Sequence, residues 1–108
     1  MQDKITRLFK AIADPTRRDI FHALLITTSA LSITQISGQF SISRQGVTKH
    51  IKTLEEAGLV SINTHGRERF CYANAKPLKE LHDWLKFYER FWEGSLDKLS
   101  NYLDDKHS

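Results

Sequence analysis

The sequence predicts one mostly α-helical domain, residues 1–108, with a small β-hairpin, and three observations lead to this prediction. Apolar residues recur at helical spacing over several segments of the chain. One stretch, residues 59–73, alternates instead between apolar and polar side chains, as two short strands do. The length of 108 residues suits a single domain that buries about 65% of its unfolded surface, so dimerisation would add stability.

Residues 32–57 are predicted to form two short helices joined by a tight turn. Ser32 and Gln35 have the spacing of a capping box at the start of the first helix. Ser43 is the expected N-cap of the second helix, and Gly58 is its expected C-cap. This arrangement is typical of a helix-turn-helix, in which the N-terminal residues of the second helix meet base edges in the DNA major groove.

The outer face of the second helix, together with its first turn, carries polar and basic side chains suited to such contacts. The candidate DNA-binding residues in this segment are Ser43, Arg44, Gln45, Thr48, Lys49 and Lys52. Gln45 can pair with adenine and Arg44 with guanine, while the Thr48 methyl suits the thymine methyl. Lys52, further along the helix, is better placed for a phosphate. An ordinary amphipathic helix with a solvated basic face is the alternative interpretation.

A β-hairpin is predicted directly after the second helix. Residues 59–63 and 67–72 alternate like strands, and Thr64-His65-Gly66 is the expected turn. Arg67 and Arg69 share one face of the second strand near the tip of the hairpin. Basic side chains there can hold flanking phosphates or enter a narrow minor groove, so the hairpin is predicted to be the wing of a winged helix-turn-helix.

Three segments resemble the ArsR family of bacterial winged-helix repressors, and the likeness covers about residues 5–75. Residues 8–18 (LFKAIADPTRR) look like the corner between the family's first two helices. Residues 43–60 look like its recognition helix and the EAGLV entry to the wing, and residues 66–72 like its returning wing strand. The resemblance implies a homodimer that binds a palindromic operator and is released by an inducer. It also implies that base contacts are made by Arg44, Gln45, Thr48 and Lys49.

Individual residues in the helix pair and in the corner before it also bear on the predicted backbone conformation. The chain departs from the ArsR pattern at Gly38, inside the first helix of the pair, where glycine lowers helix preference by about 1 kcal/mol. It departs again at Ser41, which occupies the turn where a glycine is more usual. At the preceding corner, Asp14 is the expected N-cap of the next helix. Arg17 and Arg18 follow it and are predicted to be solvated surface residues.

Residues 77–103 are predicted to form one long helix that starts at Pro77 and bends or breaks near Gly94. Its apolar residues cover an arc of about 180°, wider than the stripe of about 100° that packs against one core. The extra width predicts a second burial surface against a partner subunit. The predicted dimer interface combines this helix with the N-terminal helix through Ile5, Leu8, Phe9, Ile12, Leu81, Trp84, Leu85, Tyr88, Trp92, Leu96 and Leu99. In the alternatives, the arc is buried wholly within the monomer, or an aromatic pocket for a hydrophobic inducer is lined by Trp84, Tyr88 and Trp92.

The charge distribution supports nucleic-acid binding. Residues 1–76 hold 11 Lys and Arg against 6 Asp and Glu, a net charge of +5, whereas residues 77–108 hold 5 against 7, a net charge of −2. The basic excess therefore lies in the part with the helix pair and the hairpin. Motif spacing yields no nucleophile, base and orienting group, and no Gly-rich phosphate loop, so an enzyme is not expected. The sequence shows neither the pattern of a signal peptide nor a long apolar span, and a cytoplasmic protein is therefore expected.

No cofactor and no metal site are predicted. The one cysteine, Cys71, cannot form a thiolate site within a single chain, and residues 30–33, where the resemblance implies such thiolates, contain none. His82 and Glu93 on the C-terminal helix are weak candidates for a site shared across a dimer, although a solvated polar face also explains them. Cys71 is either a redox switch or, as is usual for a strand cysteine, inert.

Two functions follow from these patterns. The first is a sequence-specific DNA-binding regulator, a homodimeric repressor of a palindromic operator, with a small molecule or a protein as the candidate inducer. The alternative is a winged helix that serves as a protein-interaction module and docks through its aromatic C-terminal helix. The polar and basic outer face of the second helix favours DNA, because a protein-docking helix more often presents apolar anchors.

Overall fold

The computed structural model describes residues 3–27 and 29–107, except for the side chains at positions 93, 95–98 and 104–107. In this part of the chain, five helices and three strands follow one another: α1 Lys4–Ile12, α2 Pro15–Ile26, β1 Leu31–Ser32, α3 Ile33–Phe40, α4 Arg44–Glu56, β2 Val60–His65, β3 Glu68–Ala73 and α5 Leu78–His107. The mostly helical fold with a small hairpin is confirmed.

Local capping decides where the first four helices begin. Asp3, Asp14, Ser32 and Ser43 have extended backbone, and each side chain accepts a hydrogen bond from the backbone N–H three residues ahead. At Ser32 the capping box is complete, because the Gln35 side chain also accepts the Ser32 N–H at 2.8 Å. The predicted N-caps Asp14, Ser32 and Ser43 are therefore confirmed.

The sheet has three antiparallel strands in the order β1-β3-β2. Its short edge strand β1 pairs Leu31 with Cys71, and two residues are too few for their alternation to be detected in the sequence. The predicted turn at residues 64–66 starts two positions too early and ends one position too early. Thr64 and His65 still pair with β3, and the turn residues are Gly66 and Arg67. Gly66 has φ +62°, as the first position of a type II′ turn requires.

A single core joins the helices to the sheet. Its buried apolar side chains come from all five helices and from the strands: Leu8, Ala11, Ile20, Phe21, Leu24, Ile33, Ile36, Val47, Ile51, Leu54, Ala57, Leu59, Val60, Cys71 and Leu81. The core holds α3 and α4 against the sheet, and it therefore positions the helix pair next to the hairpin.

Helix α5 extends well beyond this core. It starts at Leu78, not at Pro77, and it runs through Gly94 without the predicted interruption. Its 30 residues span about 45 Å, and its first turns contact α1 through a Lys4–Glu80 ion pair and an edge-to-face Phe9–Trp84 contact. The radius of gyration is 19.2 Å, against about 13 Å for a compact domain of this length. Although α5 is long, the described residues include no helix apolar enough to cross a membrane.

Candidate nucleic-acid interface

The turn between α3 and α4 orients the second helix of the pair. Ser41 ends α3 in the left-handed conformation, with φ 53°, so this serine takes the place that a glycine usually fills. The Ser37 carbonyl accepts the Ile42 N–H at 3.3 Å, and the Ser37 hydroxyl donates to the Ile42 carbonyl. A Cβ on Gly46 would lie 2.8 Å from Ile42 Cγ2, so the close approach of the turn to α4 requires glycine there. The sequence pattern did not reveal the roles of Ser37 and Gly46.

The far end of α4 is joined firmly to the hairpin. Gly58 has φ +79°, and its N–H donates to the Glu55 carbonyl at 2.9 Å. The Leu59 N–H donates to the Leu54 carbonyl at 3.0 Å, which completes a Schellman motif. The prediction that α4 ends at a glycine signal at 58 is right within one position, since the C-cap is Ala57 and Gly58 follows it. Because Leu54 and Leu59 are both buried, the end of α4 and the start of the hairpin share one core.

The predicted DNA-binding residues on α4 point away from this core. Arg44, Gln45, Lys49 and Lys52 are exposed; the last three lie on the side opposite the buried Val47, and Arg44 lies in the first turn. Ser43 and Thr48 are more constrained than their neighbours. The Ser43 hydroxyl accepts the Gly46 N–H at 3.0 Å, and the half-buried Thr48 donates its hydroxyl to the Arg44 carbonyl at 2.8 Å. Because the Thr48 hydroxyl proton is already used, its methyl group is the part suited to an apolar contact.

Helix α4 and the hairpin enclose an open groove of about 590 Å³. The residues that line it come from α3, α4, the hairpin and Ser32, and they are Ser32, Ile33, Thr34, Arg44, Gln45, Thr48, Lys49, Arg67, Glu68 and Arg69. Four cationic side chains therefore surround one carboxylate, which makes the groove electropositive. The structure brings together every predicted DNA-binding residue except Ser43 and Lys52, and it adds Thr34 and Glu68, which the sequence had not singled out.

The two arginines of the hairpin occupy different positions. Arg67 lies in the turn itself, while Arg69 lies on β3 and pairs with Thr64 of β2. Both are exposed, and behind them the half-buried Phe70 packs edge-to-face on the His65 ring, with centroids 5.8 Å apart. The hairpin tip therefore has a small apolar support and presents both cations to solvent beside α4.

Cys71 belongs to the core and not to this groove. Its side chain is fully buried, and burial raises the pKa of the thiol to about 11, although the nearby Arg69 lowers it in part and Glu55 raises it. The thiol is therefore protonated at neutral pH, whereas the thiolate is the form that reacts.

The metal candidates on α5 gain no support from neighbours. His82 is exposed, with Nδ1 3.7 Å from the carboxylate of Asp83, and the Glu93 side chain lies outside the described residues. Among the side chains that the structure describes, no three His, Cys, Asp or Glu residues form a group that could hold a metal ion.

The residues predicted for the dimer interface fall into distinct groups. Leu8 and Leu81 are 0% and 7% exposed, so the prediction is wrong for their side chains, which pack in the chain's own core. Ile5 and Ile12 are partly buried against that core. Large exposed surfaces remain on Phe9, Trp84, Leu85, Tyr88, Trp92 and Leu99. The side chain of Leu96 lies outside the described residues.

The prediction of solvated arginines after the first corner is wrong for Arg17, which is half-buried, whereas Arg18 is exposed as predicted. Arg17 donates from Nε to the Ala11 carbonyl at 2.9 Å and from Nη2 to the Lys10 carbonyl at 2.9 Å. Arg18 donates from Nη1 to the Ile12 carbonyl at 2.5 Å. Both side chains therefore fold back over the end of α1, where helix carbonyls have no intrahelical partner.

A helix pair with an outward basic face, next to a hairpin with exposed arginines, defines the winged helix-turn-helix class of proteins. A family model described as a helix-turn-helix domain matches residues 12–62. The chain belongs to the ArsR family of winged helix-turn-helix transcriptional regulators.

Two relatives from Bacillus subtilis are similar over most of their length. The HTH-type transcriptional regulator YuzN is 40% identical over 85 residues, which are 73% of this chain and 92% of YuzN. The transcriptional repressor SdpR is 28% identical over 81 residues, which are 75% of this chain and 88% of SdpR.

Solved structures show the same fold. The ArsR family transcriptional regulator RHA00566 is 28% identical, with a TM-score of 0.75 over 83% of this chain and 91% of that one. The DNA-binding domain Mb0332 from Mycobacterium bovis, described as a homodimeric winged helix-turn-helix, is 17% identical. It aligns with a TM-score of 0.63 over 82% of this chain and 80% of that one, a likeness of fold alone.

Proposed function

We propose that this protein is a homodimeric repressor that binds a palindromic operator with the α4 helices of its two subunits in successive major grooves. The observation that carries the proposal is the electropositive groove between α4 and the hairpin. One side of this groove is a helix suited to the major groove, and the other side is a hairpin suited to the flanking backbone or the minor groove. The proposal places the protein in the cytoplasm, where operator DNA lies.

Within this proposal the residues divide between base and backbone contacts. Arg44, Gln45, Thr48 and Lys49 lie in the groove near the start of α4, the part of a recognition helix that contacts base edges. Lys52, one turn beyond Lys49 and outside the groove lining, is assigned to a phosphate. Arg67 and Arg69 are assigned to phosphates or the minor groove beside the half-site.

An unusually apolar surface supports the homodimer. The exposed large hydrophobic residues of α1 and α5 are Phe9, Trp84, Leu85, Phe87, Tyr88, Phe91, Trp92, Leu99, Tyr102 and Leu103. Such a continuous apolar face is expected to be covered by a partner. A second copy fits because a two-fold axis at α5 pairs the face with itself and presents two recognition helices to one duplex. Mb0332 is described as homodimeric, and SdpR as a repressor.

The same apolar face also favours a second function, docking of a different protein onto α5. Against that reading, the groove cations form a second specialised surface that includes no residue of α5, and a docking module would not need it. An aromatic inducer pocket gains little support, because Trp84 and Tyr88 pack on each other with ring centroids 4.8 Å apart. A small molecule or a protein remains the proposed kind of inducer.

Selection from random duplexes tests the proposal. Repeated selection should enrich an inverted repeat, and fluorescence anisotropy at about 150 mM salt should then show nanomolar affinity, roughly a thousandfold tighter than for a scrambled duplex. A duplex from upstream of the protein's own gene is the first natural sequence to compare. Enrichment of no repeat, with equal weak binding to all duplexes, would contradict the repressor and favour the docking module.

A further inference from the structure

One side chain links the proposed dimer helix to the recognition helix. Arg17, on α2, holds the last carbonyls of α1 through its Nε and Nη2 atoms, both at 2.9 Å from their acceptors. Its remaining terminal nitrogen, Nη1, lies 3.3 Å from Nδ1 of His50, in the middle of α4. One guanidinium therefore contacts three helices at once: α2 as its own element, α1 at its end and α4 at its centre.

The chemistry of this contact is directional. A guanidinium has donors only, so Nδ1 of His50 must be the acceptor and the imidazole proton must be on Nε2. The donors of arginine stand in a rigid planar fork, and a hydrogen bond weakens steeply once its distance or angle departs from ideal. A shift of α4 along or away from α1 would therefore break either the hydrogen bond to His50 or one of the two hydrogen bonds to the carbonyls of α1.

The surrounding apolar contacts do not have this property. Leu8 of α1 and Ile51 of α4 are buried in the same core, but dispersion and burial depend little on orientation. The Arg17 fork thus supplies a directional tie between α1 and α4.

We propose that Arg17, through His50, is a positioning residue that holds α4 at a set place relative to α1 and so determines which spacing of half-sites the dimer accepts. This inference rests on the proposed homodimeric repressor. Half-site spacing depends on the distance between the two recognition helices. That distance is fixed by where α4 lies, within each subunit, relative to the dimer face on α1 and α5. A tie between α1 and α4 acts directly on it.

The test compares operators in which the two half-sites stand at the selected spacing or are moved by one or two base pairs. Affinity for each is divided by the affinity for an isolated half-site, so that the ratio reports spacing alone. We expect His50→Leu and Arg17→Lys to reduce the discrimination between spacings by about tenfold or more, the effect of one lost charge-assisted hydrogen bond, while half-site affinity stays near wild type. His50→Gln keeps an acceptor in reach and should restore most of the discrimination.

Arg18→Lys is the matched control, because Arg18 also folds back on α1 but contacts only the Ile12 carbonyl. It should leave the spacing ratio unchanged, even if it lowers the melting temperature as much as Arg17→Lys does. Losses that are equal at every spacing for Arg17→Lys and His50→Leu would show a merely structural role and overturn the inference. A wild-type protein that prefers no spacing at all would instead contradict the homodimeric repressor itself.

Discussion

At the scale of single residues, the groove separates side chains that can read a base from those that add only charge. Gln45 presents both a donor and an acceptor to solvent near the start of α4, the chemistry that recognises adenine. Arg67 lies in the hairpin turn, on the opposite wall of the groove, where its charge can act on the DNA backbone. The two residues should therefore differ in what their removal changes.

Gln45→Ala should weaken binding to the selected operator by about 1–3 kcal/mol and relax the base preference at one position, with little effect on random DNA. Arg67→Ala, the comparison variant, should weaken binding to all duplexes alike and reduce the slope of log affinity against log salt by about one unit. Anisotropy titrations on cognate and random duplexes over a salt series measure both. Equal losses on the two duplexes for Gln45→Ala would remove its base-reading role.

At the scale of elements, two glycines in the helix pair have opposite structural roles. Gly38, inside α3, has open space where a Cβ would lie, so nothing in the structure requires glycine there. Gly46 lies in the first turn of α4, and a Cβ added to it would be 2.8 Å from Ile42 Cγ2 and 3.2 Å from Ser43 Oγ. The first glycine only weakens a helix, whereas the second permits the approach that sets the angle of the turn.

Gly38→Ala should therefore raise the free energy of unfolding by about 1 kcal/mol, because alanine is the better helix former. Gly46→Ala adds the same methyl group and should lower the free energy of unfolding, since Ile42 must move. Urea denaturation monitored by circular dichroism measures both values. A destabilised Gly38→Ala variant, or a Gly46→Ala variant as stable as wild type, would contradict this account of the turn.

The helix caps make stability depend on pH. The backbone N–H of Arg17 holds the pKa of Asp14 below its usual value of 3.8; burial opposes this, and the charge of Arg17 adds to it. The pKa of Asp3 is lowered in the same way, chiefly by the N–H and hydroxyl of Thr6, with burial again opposing. A lowered folded pKa means that the charged caps stabilise the fold above pH 3.8, and that this stabilisation is lost as the pH falls through the folded pKa.

Asp14→Asn keeps an N-cap acceptor but removes the charge, so it should melt at a lower temperature than wild type at pH 6. The gap should shrink as the pH falls below 3.8, because the wild-type carboxylate is then also neutralised. Thermal melts of the two proteins between pH 6 and pH 2.5 measure this, with Asp3→Asn as a second cap. A gap that widens in acid would have the wrong sign for a lowered pKa.

At the scale of the whole molecule, α5 makes the chain elongated, with extents of 69 × 31 × 24 Å. Its first turns join the core through Leu78 and Leu81, while the large apolar side chains described beyond them are exposed. Such a shape suits one half of the proposed two-fold assembly, because pairing two copies through α5 would cover this face.

Trp92→Lys should convert the dimer to a monomer, because it places a charge in the middle of the face; Trp92 is 56% exposed, so the monomer should stay folded. Asp83→Asn changes the net charge by the same amount on the opposite side of α5 and should remain dimeric. Sedimentation velocity gives the oligomeric state, and circular dichroism confirms the fold. Persistence of the dimer in Trp92→Lys would exclude this face from the interface.

Features that depend on near neighbours along the chain could be predicted from the amino-acid sequence. Capping at Ser32 and Ser43 connects residues three apart, and the glycine at 58 acts within one turn. Both signals can therefore be recognised in a short stretch of sequence. The outward set on α4 follows from helical periodicity in the same way. For these features a local pattern is also the physical cause.

Which apolar surfaces are buried, and which contacts join distant elements, became visible only in the folded chain. Leu8 and Leu81 fit an apolar face by pattern, yet the core of their own chain buries them. Strand β1 exists only because β3 pairs with it, and Arg17 meets His50 across 33 positions of sequence. Such contacts depend on how distant elements pack together. Helical or strand spacing within one element carries no information about that packing.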